Sequence, residues 1–169
     1  MNDEAEEREE TLEEQTATAY HEAGHAVLAL YLGRPIHRVS ILSNHLRLGQ
    51  VELTRGMARP SKDFVEDESI FLLAGMAAEA RHTGSYSHGH AGADLRAVRD
   101  LIAARAATER QAEKLERRFL DKTEYLLDDP ALWMAVELLV AELLAKKTVS
   151  GRAVKHFYEL AERKAEKQA

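Results

Sequence analysis

The 169-residue chain contains no cysteine. Disulfides are therefore excluded, and so is any metal centre built on thiolates. Proline is rare, at positions 35, 60 and 130, and the stretch from Ala93 to Asp129 holds neither proline nor glycine. No apolar run approaches the ~18 residues that a membrane-crossing helix requires. No Gly-Lys pair occurs, which rules out the phosphate-cradling G-x-x-x-x-G-K-[ST] loop and an ATPase built on it. There is no basic stripe with interleaved aromatics, so nucleic acid is not an expected partner. The opening MNDEAEEREETLEE is acidic, the opposite of a secretion signal. Together these absences point to a cytoplasmic chain with no membrane span.

Charge is unevenly distributed. The net charge is −6, and the first 14 residues carry eight acids against one arginine, so the remainder is close to neutral. We read residues 1–15 as a solvated, poorly ordered lead-in. Residues 16–169 read as one domain, long enough to bury a core. Arg96, Arg99 and Arg105 alternate with acids along the sequence and read as solvated helix faces.

The most informative segment is HEAGH, residues 21–25. On a helix, His21 and His25 project from one face about one turn apart. Two neutral imidazoles at that separation can take adjacent corners of a zinc tetrahedron. Glu22 lies roughly 100° further round, where it can stay off the metal and act as general base toward an attacking water. The surrounding TATAYHEAGHAVLALYLG has helical apolar spacing, with Thr16 or Thr18 as the expected cap and Gly33 and Pro35 ending it. Gly24 inside a helix costs about 1 kcal/mol relative to alanine, which predicts the close approach of another backbone.

A catalytic zinc commonly has three protein ligands. The extended HExxHxxGxxH motif is absent, since Leu28 and Tyr31 stand where it needs glycine and histidine. The remaining candidates are Glu79, His88, His90 and Asp94. His88 and His90 sit in a Gly-rich stretch that reads as a flexible loop. Asp94 reads as the start of an amphipathic helix carrying Leu95, Val98 and Ile102, where it could equally be a cap. Spacing alone leaves Asp94 and Glu79 open.

TAYHEAGHAVLALYLGRPIHRVSILSNHLRLGQVELT, FLLAGMAAEARHTG and SHGHAGADLRAV resemble successive blocks of the peptidase domain of FtsH-type zinc metalloproteases. The C-terminal VAELLAKKTVSGRAVKHF resembles that family's last helical pair. The resemblance implies Zn2+ held by His21, His25 and Asp94, with Glu79 near the metal but not bound to it. It also implies a metalloendopeptidase hydrolysing polypeptides. Two blocks depart from the pattern: the family's glycine pair reads Ala74-Gly75 here, and its AEE reads Ala78-Glu79-Ala80. FtsH-type proteases carry an ATPase module and a membrane anchor, neither of which is present in these residues. We therefore expect a stand-alone peptidase domain, a monomer or small homo-oligomer, taking polypeptide substrate unaided or from a separate ATPase or delivery protein. The alternatives are a zinc-binding regulatory module with little turnover, and a peptide or amide hydrolase.

The rest of the chain sets the expected fold. HRVSIL alternates His37, Val39 and Ile41 against Arg38, Ser40 and Leu42, predicting a half-buried strand that pairs with QVELT as a hairpin. A helix is predicted from the Ser61–Phe64 region to about His82, closed by Gly84, with Phe64, Ile70 and Leu73 among its core residues. Residues 93–129 predict one long helix, or two with a bend near 106–111. Pro130 starts another helix, and Ser150-Gly151 leads into a last one. The expected class is mainly α (α+β), a helical metalloprotease domain with one small β element beside the HExxH helix. His45, Tyr86, His88 and His90 are the candidates for a second oxyanion donor.

Overall fold

The computed structural model describes residues 9–43, 49–56 and 61–169, apart from the side chains of His88 and His90. Most of the acidic lead-in, Pro60 and residues 44–48 between the two hairpin strands, His45 among them, lie outside the described residues.

The described residues form six helices and a three-stranded antiparallel sheet, which is the mainly α class expected. Helix α1 (Leu12–Tyr31) is the spine of the fold, buried almost continuously from Thr18 to Ala29. It begins earlier than expected. Thr11 rather than Thr16 or Thr18 is the cap: its Oγ1 accepts from Glu14 N at 3.2 Å, and Glu14 Oε2 accepts from Thr11 N at 2.9 Å. This reciprocal pair satisfies two first-turn donors at once. Thr16 and Thr18 instead donate back to Leu12 O and Glu14 O inside the helix.

Strands β1 (Ile36–Ser40) and β2 (Gln50–Leu53) pair antiparallel as predicted. A register shift between Ile36 and Arg38 breaks the expected alternation. Ile36 and Val39 face the core, while His37 is exposed. A third strand, β3 (Thr148–Ser150), pairs with the other side of β1 and makes it the central strand.

Helix α2 (Phe64–Thr83) is capped by Asp63 and closed by Gly84 at φ 87°, a left-handed conformation that glycine adopts without strain. Its first residue departs from expectation: Phe64 is 59% exposed, because the first turn extends past the core it was assigned to. Helices α3 (His88–Ala103) and α4 (Glu109–Leu127) are separate. The break comes just before Thr108, which caps α4. Helix α3 starts six residues before Asp94. His88 and His90 are therefore helical rather than in a loop, and Asp94 lies in the second turn, too deep to cap. Helix α5 (Pro130–Lys146) has Pro130 at its first position, and α6 (Gly151–Gln168) is capped by Ser150. Among the described residues, no helix is long and apolar enough to cross a membrane.

Two cores position the site. The larger packs α1 against α2, α5, α6 and the sheet through Ala23, Val27, Leu28, Ala74, Val136 and Leu139. A smaller cluster of Leu73, Met76, Ala91, Leu95, Val98 and Phe119 fastens α3 to α2 and α4. Gly24 explains how closely α1 and α2 approach. A Cβ on it would stand 2.5 Å from Ala74 O and 2.6 Å from the Ala78 Cβ, so the backbone contact predicted from sequence is with α2.

Candidate metal centre

Helix α1 carries His21, Glu22 and His25, all buried, into a cavity of about 570 Å³. Helix α2 brings Phe71, Gly75 and Glu79 against the imidazoles, and α3 closes the far side with Asp94. The smaller core makes this possible, because Ala91, Leu95 and Val98 anchor the buried face of α3 and leave Asp94 turned toward α1.

Three atoms converge. His21 Nε2 and His25 Nε2 are 3.1 Å apart, and Asp94 Oδ2 stands 3.4 Å from the first and 3.2 Å from the second. For metal–ligand bonds of 2.0–2.1 Å, the edge of a tetrahedron is about 3.3 Å, so the triangle has the dimensions of one tetrahedral face. Its chemistry fits as well as its size. The Nδ1–H of His25 donates to Phe71 O at 2.8 Å, a carbonyl that can only accept. His21 Nδ1–H donates to Glu79 Oε2 at 3.1 Å. With both outer nitrogens protonated, the two neutral rings present lone pairs inward beside a carboxylate oxygen. Three acceptors facing one another require a proton or a cation between them. Among the described residues, these three are the group whose ligand atoms are close enough to hold a metal ion.

The titration of the site reflects this crowding. Burial pulls the His21 imidazole down, but hydrogen bonds to Asp94 and Glu79 outweigh it, and His21 is pushed up to about 9. Burial also acts against the charged form of Asp94, yet hydrogen bonds from His21 and His25 hold its carboxyl well below the usual carboxylate range.

The structure thus brings His21, His25 and Asp94 together, places Glu79 on the opposite side of the His21 ring, and sets Glu22 on the wall of the same cavity. It does not bring Tyr86 there. That hydroxyl donates to Glu124 and lines a separate cavity with Arg81 and Asp128. Two glycines to which the sequence reading gave no place in the site, Gly75 and Gly49, define the walls. A Cβ on Gly75 would stand 2.4 Å from His25 Nε2 and 2.6 Å from His21 Nε2. One on Gly49 would stand 2.6 Å from Glu22 Cγ and 2.8 Å from its Oε1. No local pattern marks either position, because the close neighbour in each case comes from another element.

The profile of peptidase family M41 matches residues 8–124, a range that includes every residue of this centre. The ATP-dependent zinc metalloprotease FtsH 4 of Sorangium cellulosum is 36% identical over 105 residues, covering 57% of this chain and 15% of that protein. The ATP-dependent zinc metalloprotease FtsH of Marinobacter nauticus is 31% identical over 109 residues, covering 62% and 17%. The ATP-dependent zinc metalloprotease FtsH 2 of Methylacidiphilum infernorum matches further along, at 29% identity over 161 residues, 92% of this chain and 24% of that protein. The chain therefore spans less than a quarter of the length of these relatives. With the profile taking in more than half of its residues, the chain belongs to peptidase family M41.

Proposed function

We propose that this chain is a zinc-dependent endopeptidase that cleaves unfolded or extended polypeptides without nucleotide. The observation that carries the reading is the convergence of two imidazole nitrogens and one carboxylate oxygen at tetrahedral spacing, with a further carboxylate, Glu22, on the same cavity wall. His21, His25 and Asp94 would hold the Zn2+. When bound, the metal supplies Lewis-acid chemistry, lowering the pKa of a water and polarising a carbonyl.

The residues of the chain do the rest. Glu22 takes a proton from the attacking water and returns it to the leaving amine. Gly49 packs against that carboxylate and restricts where it can move. Glu79 and the Phe71 carbonyl fix the ring orientations, so that both Nε2 lone pairs stay directed inward. A separate ATPase or delivery protein would present substrate to this chain, and the cleavage step itself does not require it.

The test is to incubate zinc-loaded and chelated protein with an unfolded protein substrate in the absence of nucleotide. Fragments from the loaded protein alone are expected; no fragments from either sample would sink the proposal. Glu79→Gln is expected to weaken zinc affinity by about 10- to 100-fold, the usual effect of losing a group that orients a ligating histidine. Chelator competition measures it, and an unchanged affinity would remove Glu79 from this role.

Metal removal should also change how stability depends on pH. The metal-free His21 is raised from ~6.5 unfolded to about 9 folded. Its stabilisation is therefore fully present below pH ~6.5 and lost as pH rises through about 9. Asp94 is lowered, so its contribution is present above the ordinary carboxylate range near ~3.9 and lost as pH falls through and below it. The chelated protein is expected to melt at progressively lower temperature between pH ~6.5 and ~9. The zinc-loaded protein, whose ligands need no proton, should not show this decline. Parallel melting curves for the two forms would contradict the ligand assignment.

A further inference from the structure

The cavity around the metal site has another charged group on its wall. Arg96 lines it together with Glu22, His25 and Asp94. The two neighbouring arginines are engaged elsewhere: Arg99 pairs with Glu116 at 3.2 Å, and Arg105 with Asp63 at 2.9 Å. Arg96 has no ion pair among the described residues. Its guanidinium lies back along α3, with Nη1 3.7 Å from where a Cβ on Gly92 would stand. Gly89 and Gly92, which also line the cavity, carry no side chain that could cover it. Asp94 of the same cavity does not pair with it, since that carboxylate faces the two histidines.

We propose that Arg96 receives a carboxylate of the polypeptide substrate, either the C-terminal carboxylate or an Asp or Glu side chain. This rests on the peptidase reading above and adds a selectivity to it. Guanidinium is charged at every working pH, and its planar fork matches the two oxygens of a carboxylate. Arg96 and Asp94 leave α3 about 200° apart, so the guanidinium stands to one side of the metal triangle. Arg96 is exposed, so the contact is screened. The preference should reach about five-fold at low ionic strength and fade as salt is raised.

The experiment uses the zinc-loaded protein and three sets of otherwise neutral peptides. In the first, a single Asp is walked along a C-terminally amidated sequence. In the second, Asn replaces Asp at each position. In the third, the Asn peptide carries a free C-terminal carboxylate. Cleavage is read with the native protein, and equilibrium binding by fluorescence anisotropy with Glu22→Gln. Preference for the Asp peptide identifies a side-chain carboxylate, and preference for the free-acid peptide a chain terminus. In either case Arg96→Gln should bring the acidic peptides down to the neutral level, and Arg96→Glu should reverse the preference, so that the neutral peptides are handled better than the acidic ones. Equal handling of all three sets in both readouts overturns the proposal, as does a preference that survives Arg96→Gln. Acid-selective binding with no cleavage keeps this inference and removes the peptidase reading. Cleavage with no selectivity does the opposite.

Discussion

Glu22→Gln is expected to leave zinc affinity nearly unchanged and to reduce cleavage of an unfolded polypeptide by about 10³-fold, the range that a positioned general base contributes. Glu22 is buried on the cavity wall and lies outside the triangle of converging atoms, so it supplies no ligand atom to the metal. Glutamine has the same shape, which matters here because Gly49 packs closely against the side chain. What the amide cannot do is accept the proton of the attacking water at neutral pH. Fragment analysis and metal quantification on the same preparation separate the possible outcomes. Undiminished cleavage would remove Glu22 as the base. Loss of zinc would instead make Glu22 a ligand.

The second large effect is expected at Gly75. Helix propensity alone says that glycine to alanine in the middle of α2 should stabilise the protein by about 1 kcal/mol. The site predicts the reverse for metal. The new methyl would stand 2.4 Å from His25 Nε2 and 2.6 Å from His21 Nε2, well inside van der Waals contact. The helices cannot separate to make room, because Gly24 already holds α1 against the Ala74 carbonyl. The imidazoles must rotate instead, breaking their bonds to Phe71 O and Glu79. Gly75→Ala is therefore expected to lose at least about 100-fold in zinc affinity, while the chelated protein stays folded. Chelator competition and melting of the metal-free protein test the two halves independently. Wild-type zinc affinity in Gly75→Ala would show that the rings do not depend on that gap.

These expectations differ in how visible they were from the sequence. HEAGH was legible because His21, Glu22 and His25 sit within one turn and a half of a single helix, where spacing alone sets direction. The helix boundaries at Gly84, Pro130 and Ser150 were legible for the same local reason: glycine, proline and a capping hydroxyl act through their own backbone. The start of α1 at Thr11 was within reach too, since Thr11 and Glu14 form a capping box that the weaker candidates Thr16 and Thr18 obscured.

Strand β3 was not legible. It is three residues long, too short to show alternation, and exists because β1 offers it a partner. The break in alternation at His37 likewise follows from a register shift against β2, which nothing local encodes. Arg96 read as one of several solvated arginines. It is set apart by partners that Arg99 and Arg105 have and it does not, and those partners lie on other elements.

The sequence by itself determined that this chain has a helix with two imidazoles and a carboxylate on adjoining faces, and that no thiolate could complete a metal site with them. Both follow from residue identity and the fixed pitch of a helix. Only the tertiary structure decided which side of the rings each distant carboxylate occupies. Glu79 came to the Nδ1 side because α2 packs tightly across Gly24, and Asp94 came to the Nε2 side because Ala91, Leu95 and Val98 dock α3 on α2. That choice depends on how α1, α2 and α3 pack against one another, and spacing along the chain carries no record of it.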